Sequence, residues 1–143
     1  MSVPSSSSAP SCPCGLPQPY DDCCGRFHTG AAAPATAEGL MRSRFAAFAV
    51  GDVGYLTRTW HPDTRPRRLR LDPGQRWTRL EIVGRTGGIM MATEGTVEFR
   101  AHYEQDGRPG VQHENSRFVR VEGAWHYLDG TVSRSPDPAR LPE

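Results

Sequence analysis

The spacing of apolar and polar positions divides the chain into a helical part followed by a strand part. At about 100° per residue, Ala37, Leu40, Met41, Phe45 and Phe48 fall on one arc about 140° wide, the apolar face of an amphipathic helix. Thr36 stands where an N-cap belongs, Glu38 lies in the first turn and Gly51 follows the last turn, which predicts a helix over Ala37–Val50. Arg44 lies inside the apolar arc, whereas Arg42 points to the opposite side. A cation at position 44 must snorkel to solvent or meet a carboxylate, because a buried, unpaired charge is costly. Asp52 is placed to cap a second, shorter helix, roughly Val53–Thr59, with Tyr55, Leu56, Thr59 and Trp60 on one side and Pro62 as its stop.

Residues 61–76, HPDTRPRRLRLDPGQR, follow neither period and read as a surface loop. Arg65, Arg67, Arg68 and Arg70 are either an anion patch or simply solvated, and a short charge run favours the second. From Trp77 the period becomes two. Trp77–Val83 alternates roughly, with Leu80 and Ile82 on one face. Glu94–Glu104 alternates cleanly: Val97, Phe99, Ala101 and Tyr103 oppose Thr96, Glu98, Arg100 and His102. Residues 105–110 are a turn, and Val111–Val121 and Ala124–Leu128 continue an antiparallel meander. Helices followed by successive strands give an α+β fold.

Val111–Val121 departs from clean alternation, since either face carries polar side chains inward. A bulge near Phe118 that switches the faces is one explanation, and a partly polar pocket on the inner side of the sheet is the other. A pocket would bring His113 or Glu114 toward Arg44, with Trp60 and His61 at its rim. A histidine in a sheet is more often a hydrogen-bonded structural residue.

Composition changes the picture in three ways. The chain is 143 residues long, one domain's worth, with a net charge of +1, which gives no reason to propose nucleic acid or an anionic membrane as partner. Its cations are all Arg, which excludes a Schiff-base lysine and a Walker-loop lysine. The start, MSVPSSSSAPS, has neither a basic segment nor an apolar run, so no signal peptide or membrane anchor is expected and a cytoplasmic location is. We therefore expect a disordered Ser/Pro-rich tail over 1–11, a cysteine segment over 12–28, one α+β domain over 29–132 and a loose tail over 133–143.

All four cysteines lie in CPCGLPQPYDDCCGRFH, residues 12–28. Pro13, Gly15, Pro17 and Pro19 forbid regular structure across its first half and leave a knuckle-like loop. Two pairs of thiols on one short loop suit a tetrahedral zinc ion, with redox thiols or a disulfide as alternatives.

This segment resembles the SEC-C motif, C-x-C-x8-C-(H or C), found at the end of the translocase ATPase SecA. Downstream, PATAEGLMRSRFAAFAVGDVGYLTRTWHPDTRP, TEGTVEFRAHY, HENSRFVR and WHYLDG resemble the YchJ family of small uncharacterised bacterial proteins. The resemblance implies a SEC-C zinc knuckle joined to a nuclear-transport-factor-2-like cone, helices packed on a curved antiparallel sheet. Cys12, Cys14, Cys23 and Cys24 match the four metal positions of the motif. Leu16-Pro17-Gln18 and Asp21-Asp22 depart from its usual basic flanks, which argues against transferring a SecA-type partner to this chain.

The family brings no established reaction, so two functions are carried forward. The first is a protein-interaction or adaptor module whose knuckle, held by structural Zn²⁺, docks on a protein partner. The second is a small-molecule site in the cone with isomerase- or hydratase-like chemistry, using Arg44, Trp60, His61, His113 and Glu114. Catalytic zinc ranks below both, because four cysteines close the coordination shell.

Overall fold

The computed structural model describes residues 11–89 and 91–136. Two short pieces open it, a 3-10 turn at Tyr20–Asp22 and helix α1 at Cys24–His28. The helix expected from the apolar arc is α2, Ala37–Val50; Thr36 Oγ1 accepts from Gly39 N at 3.0 Å, and Gly51, at φ 84°, closes the far end through its N–H to Ala47 O. Helix α3, Val53–Arg58, is capped by Asp52, which accepts from Tyr55 N at 3.0 Å.

Four strands follow: β1 (Gln75–Gly87), β2 (Glu94–Gln105), β3 (Arg108–Val121) and β4 (Ala124–Pro136). They form one antiparallel meander in the order β1-β2-β3-β4. The rough alternation in β1 has a physical cause, register shifts that leave Thr78 and Val83 unpaired. Each shift inverts the parity, so Trp77, Leu80 and Ile82 all lie opposite inward residues of β2: Tyr103, Ala101 and Phe99. In β3 the pairing with β2 runs without a shift, and Gln112, Glu114, Ser116 and Phe118 share the inner face. The polar-pocket explanation therefore holds for β3. The nearby irregularity belongs to β4, where Arg117 pairs with Asp129 but Phe118 pairs with Tyr127, leaving Leu128 as the extra residue.

β4 also runs past its expected end. Residues 133–136, expected at the start of a loose tail, pair instead with Gly110–His113 of β3. The remaining tail expectations, over 1–10 and 137–143, lie outside the described residues. Ser11 forms an isolated bridge with Pro19.

Helix α2 lies on the inner face of the sheet and builds the core there: Leu40 and Phe45 meet Leu56, Val97, Phe99 and Phe118. Its start is pinned twice, by Ala37 N to Gly88 O at 2.9 Å and by Trp125 Nε1 to Ala35 O at 3.1 Å. The opposite flank of α2 carries the cysteine segment. Ala46 packs in a second buried cluster with Cys12, Cys14, Cys23 and Cys24. Arg42, on the side opposite the apolar arc, donates to Cys14 O at 2.9 Å and to Glu38 at 3.0 Å.

His28 completes this seam. Its Nε2 donates to Ser43 O at 2.9 Å, and its Nδ1 forms a hydrogen bond of 2.5 Å with Tyr20 OH. Ser43 Oγ donates in turn to Leu40 O and accepts from Tyr55 OH at 2.7 Å. Arg58 Nη2 reaches both Phe27 O and His28 O at 3.1 Å. Residues 12–28 are thus built into the helical layer rather than appended to it.

Candidate functional site

Two constellations stand out, one on each flank of α2. The first is the cysteine cluster. The loop of residues 12–19 supplies Cys12 and Cys14, its path fixed by Cys12 N to Gln18 O at 2.8 Å and by Gly15 N to Cys12 O at 3.1 Å, with Gly15 at φ 98°. Cys23 and Cys24 come from the start of α1. The four Sγ atoms all lie within 4.8 Å of one another, and Cys14 and Cys23 are 3.6 Å apart. All four thiols are unbridged and buried.

A disulfide needs an S–S distance of about 2.05 Å. Four sulfurs about 2.3 Å from one ion stand roughly 3.8 Å apart at the corners of a tetrahedron, which this cluster matches. Hydrogen bonding from the Cys24 thiol lowers the Cys14 pKa to about 5, whereas burial pushes Cys23 up to about 12 and the bond to Cys14 raises Cys24. Metal binding has to displace the protons held by the raised thiols. Arg26 Nε, donating to Cys23 O at 3.1 Å, and Arg42 on Cys14 O place positive charge beside the sulfurs. These residues can hold a metal ion.

The second constellation is a cavity of about 620 Å³ between α2, the segment 70–75 and the inner face of the sheet. Phe45 and Phe48 line it from α2, Trp77 and Phe99 from the strands. Arg44, Trp60, Glu114, Ser116 and Tyr127 line its polar part. Val50, Arg70, Asp72 and Pro73 are exposed lining residues and mark its mouth.

Arg44 takes neither of the two courses expected for it. It is 3% exposed, so it does not snorkel, and among the described residues it forms no ion pair. Instead Nη1 donates to Leu56 O at 2.9 Å and to Thr59 Oγ1 at 2.7 Å, and the guanidinium lies 5.1 Å from the Trp60 ring and 4.8 Å from the Tyr127 ring. Burial lowers its pKa to about 10, which still leaves it charged at neutral pH.

Glu114, 7% exposed, accepts from Ser116 Oγ at 2.5 Å and from Tyr127 OH at 3.0 Å on Oε2, and from Gln112 Nε2 at 3.1 Å on Oε1. Burial, reinforced by the neighbouring Glu114 charge, raises the Tyr127 pKa and keeps it a donor.

The two histidines proposed for this site are elsewhere. His113 has the outward parity of β3 and bonds Glu98 at 2.6 Å. His61 is not among the lining residues; its backbone N–H donates to Tyr127 O at 2.7 Å and its Nδ1 accepts from Asp63 N at 3.0 Å, so it closes the loop after α3. The loop arginines also separate: Arg65 is tied to Trp60 O at 2.9 Å, and only Arg70 of the four lines the mouth.

Sequence reasoning missed Gln112, Ser116 and Tyr127. The even-numbered polar run of β3 carried a signal for the first two, and the Trp125/Tyr127 alternation carried one for the third.

The sequence model described as YchJ, middle NTF2-like domain, matches residues 36–130. The chain belongs to the YchJ family. A UPF0225 protein of Streptomyces coelicolor is 60% identical over 121 residues, covering 85% of this chain and 94% of that protein. A UPF0225 protein of Corynebacterium glutamicum is 51% identical over 121 residues, covering 85% and 96%. Among solved structures, the solution structure of a SEC-C motif containing protein from Rhodopseudomonas palustris superposes with a TM-score of 0.75 at 31% identity, covering 85% of this chain and 98% of that one. The crystal structure of a SEC-C motif containing protein from Psychrobacter arcticus gives 0.68 at 28% identity, covering 89% and 85%. The NTF2-like α+β fold and the cysteine knuckle expected from the YchJ resemblance are both present. Among the described residues, no helix is long and apolar enough to cross a membrane.

Proposed function

We propose that the protein is a zinc-stabilised small-molecule-binding module, with the ion in the knuckle and the ligand in the cavity of the YchJ domain. The observation that carries this reading is the cavity itself: about 620 Å³, walled by aromatic side chains, with a buried Arg44 and a buried Glu114 at its polar end. That volume and that mixture of many apolar with few convergent polar groups are what small-molecule sites have.

Zinc is the ion we assign to Cys12, Cys14, Cys23 and Cys24, because four buried thiolates suit a closed structural site. The ion supplies folding free energy there and no chemistry to the cavity. Docking of a protein partner through the knuckle has one observation behind it, exposed Leu16 at its tip, set among exposed Pro17, Gln18, Asp21 and Asp22. The cavity has more behind it and takes first place.

Calorimetric titration with phenol tests the reading. Ala101 is buried and lines the cavity. The wild-type chain binds phenol, and Ala101→Leu, which fills that space, weakens binding by about tenfold or more. Equal affinity in the two folded proteins contradicts the reading.

A further inference from the structure

The charges inside the cavity restrict what can fill it. Both hydrogen bonds of Arg44 leave from Nη1, and no partner for its Nε or Nη2 is found among the described residues. On the other side, Glu114 Oε2 takes two hydroxyl donors, while among the described residues Oε1 takes only the Gln112 amide. A carboxylate oxygen accepts about two hydrogen bonds, so Oε1 has one position left. Tyr127 joins the two groups, its ring against the guanidinium and its hydroxyl on the carboxylate.

The seat of the carboxylate is built into the sheet. A Cβ at Gly130 would lie 2.4 Å from Glu114 Oε2, so the strand next to β3 leaves out a side chain where the carboxyl group rests. The cavity therefore offers a donor and an acceptor of opposite charge at one end and the rings of Phe45, Phe48, Trp77 and Phe99 elsewhere.

An anionic ligand would face Glu114 and a cationic one would face Arg44, each away from bulk water, where an uncompensated charge costs most. A neutral group carrying N–H beside C=O satisfies both residues. We propose that the cavity selects an uncharged, flat ligand with an amide or lactam edge, its carbonyl toward Arg44, its N–H toward Glu114 and its ring among the aromatic side chains. This rests on the reading of the cavity as a small-molecule site.

Benzamide, benzoate and benzamidine have nearly the same shape and differ in charge, so calorimetry with these three probes on the zinc-loaded full chain at neutral pH tests the inference. Benzamide binds about tenfold tighter than either ion, and in Glu114→Gln the preference for benzamide over benzoate shrinks by about tenfold. Benzoate or benzamidine binding as tightly as benzamide to the wild type, or an unchanged preference in folded Glu114→Gln, overturns the neutral-ligand inference while the cavity reading stands. Phenol binding with none of the three probes has the same consequence. Failure of phenol as well overturns both.

Discussion

Arg44 is a buried charge with no ion pair in hydrogen-bond contact among the described residues. Its desolvation is offset by a carbonyl at the end of α3, a threonine hydroxyl and two aromatic faces. Glu114, held by three donors, adds a favourable field. Replacing the guanidinium by an apolar chain leaves Leu56 O short of a donor and Glu114 without its counter-charge. Arg44→Met is thus expected to destabilise the protein by about 3 kcal/mol in denaturant unfolding. In the double variant with Glu114→Gln the two losses fall short of adding, by about 1 kcal/mol. An unchanged midpoint for Arg44→Met would show that these contacts contribute nothing.

The position of Arg44 on the apolar arc was legible in the sequence, because helical periodicity places a residue on a face. Its partners were not. Leu56 O belongs to another helix, Thr59 to that helix's C-cap, and Tyr127 comes from the last strand. The same limit misplaced His113: a strand's parity says which residues share a face but not which face is covered, and only the pairing of β3 with β2 settles that.

At the scale of elements, α2 was readable end to end, since its cap, its terminator and its apolar period agree over the same fourteen residues. The strands were readable less fully. Bulges at Thr78, Val83 and Leu128 arise from pairing between strands, which no local pattern encodes. The knuckle was readable as a ligand set, but its attachment was not: His28, Arg42 and Arg58 tie it to α2 and α3 through backbone carbonyls, which have no sequence signature.

That attachment has a measurable consequence for the metal. We expect reduced wild-type protein to carry zinc at one ion per chain and Cys23→Ser to retain none, by elemental analysis. Because the knuckle supports α2, loss of the ion should lower the melting temperature of the whole chain by on the order of 10 °C within a single transition. A separate early transition, with the main melt unmoved, would show that the knuckle folds independently of the cone.

Across the whole molecule, α2 has a different neighbour on each flank: the cysteine cluster meets Ala46 on one side, and the cavity meets Arg44, Phe45 and Phe48 on the other. The cysteine cluster and the cavity are thereby placed against one helix while their chemistries stay apart. Periodicity supplied the α+β architecture, and the YchJ and SEC-C resemblance supplied the NTF2-like cone and the four metal positions, whereas the cavity depends on the gap between helix and sheet. That gap is not written in residue identity alone.

The three tryptophans give the most direct test of the cavity. Trp60 and Trp77 line it, whereas Trp125 is buried beneath the start of α2 and does not. In a titration of the zinc-loaded protein with phenol, followed by the indole N–H signals in NMR, the account predicts that Trp60 and Trp77 shift in a saturable way while Trp125 stays in place. Saturable binding that moves Trp125 and leaves Trp60 and Trp77 unmoved, or no saturable shift of any of the three, would contradict it.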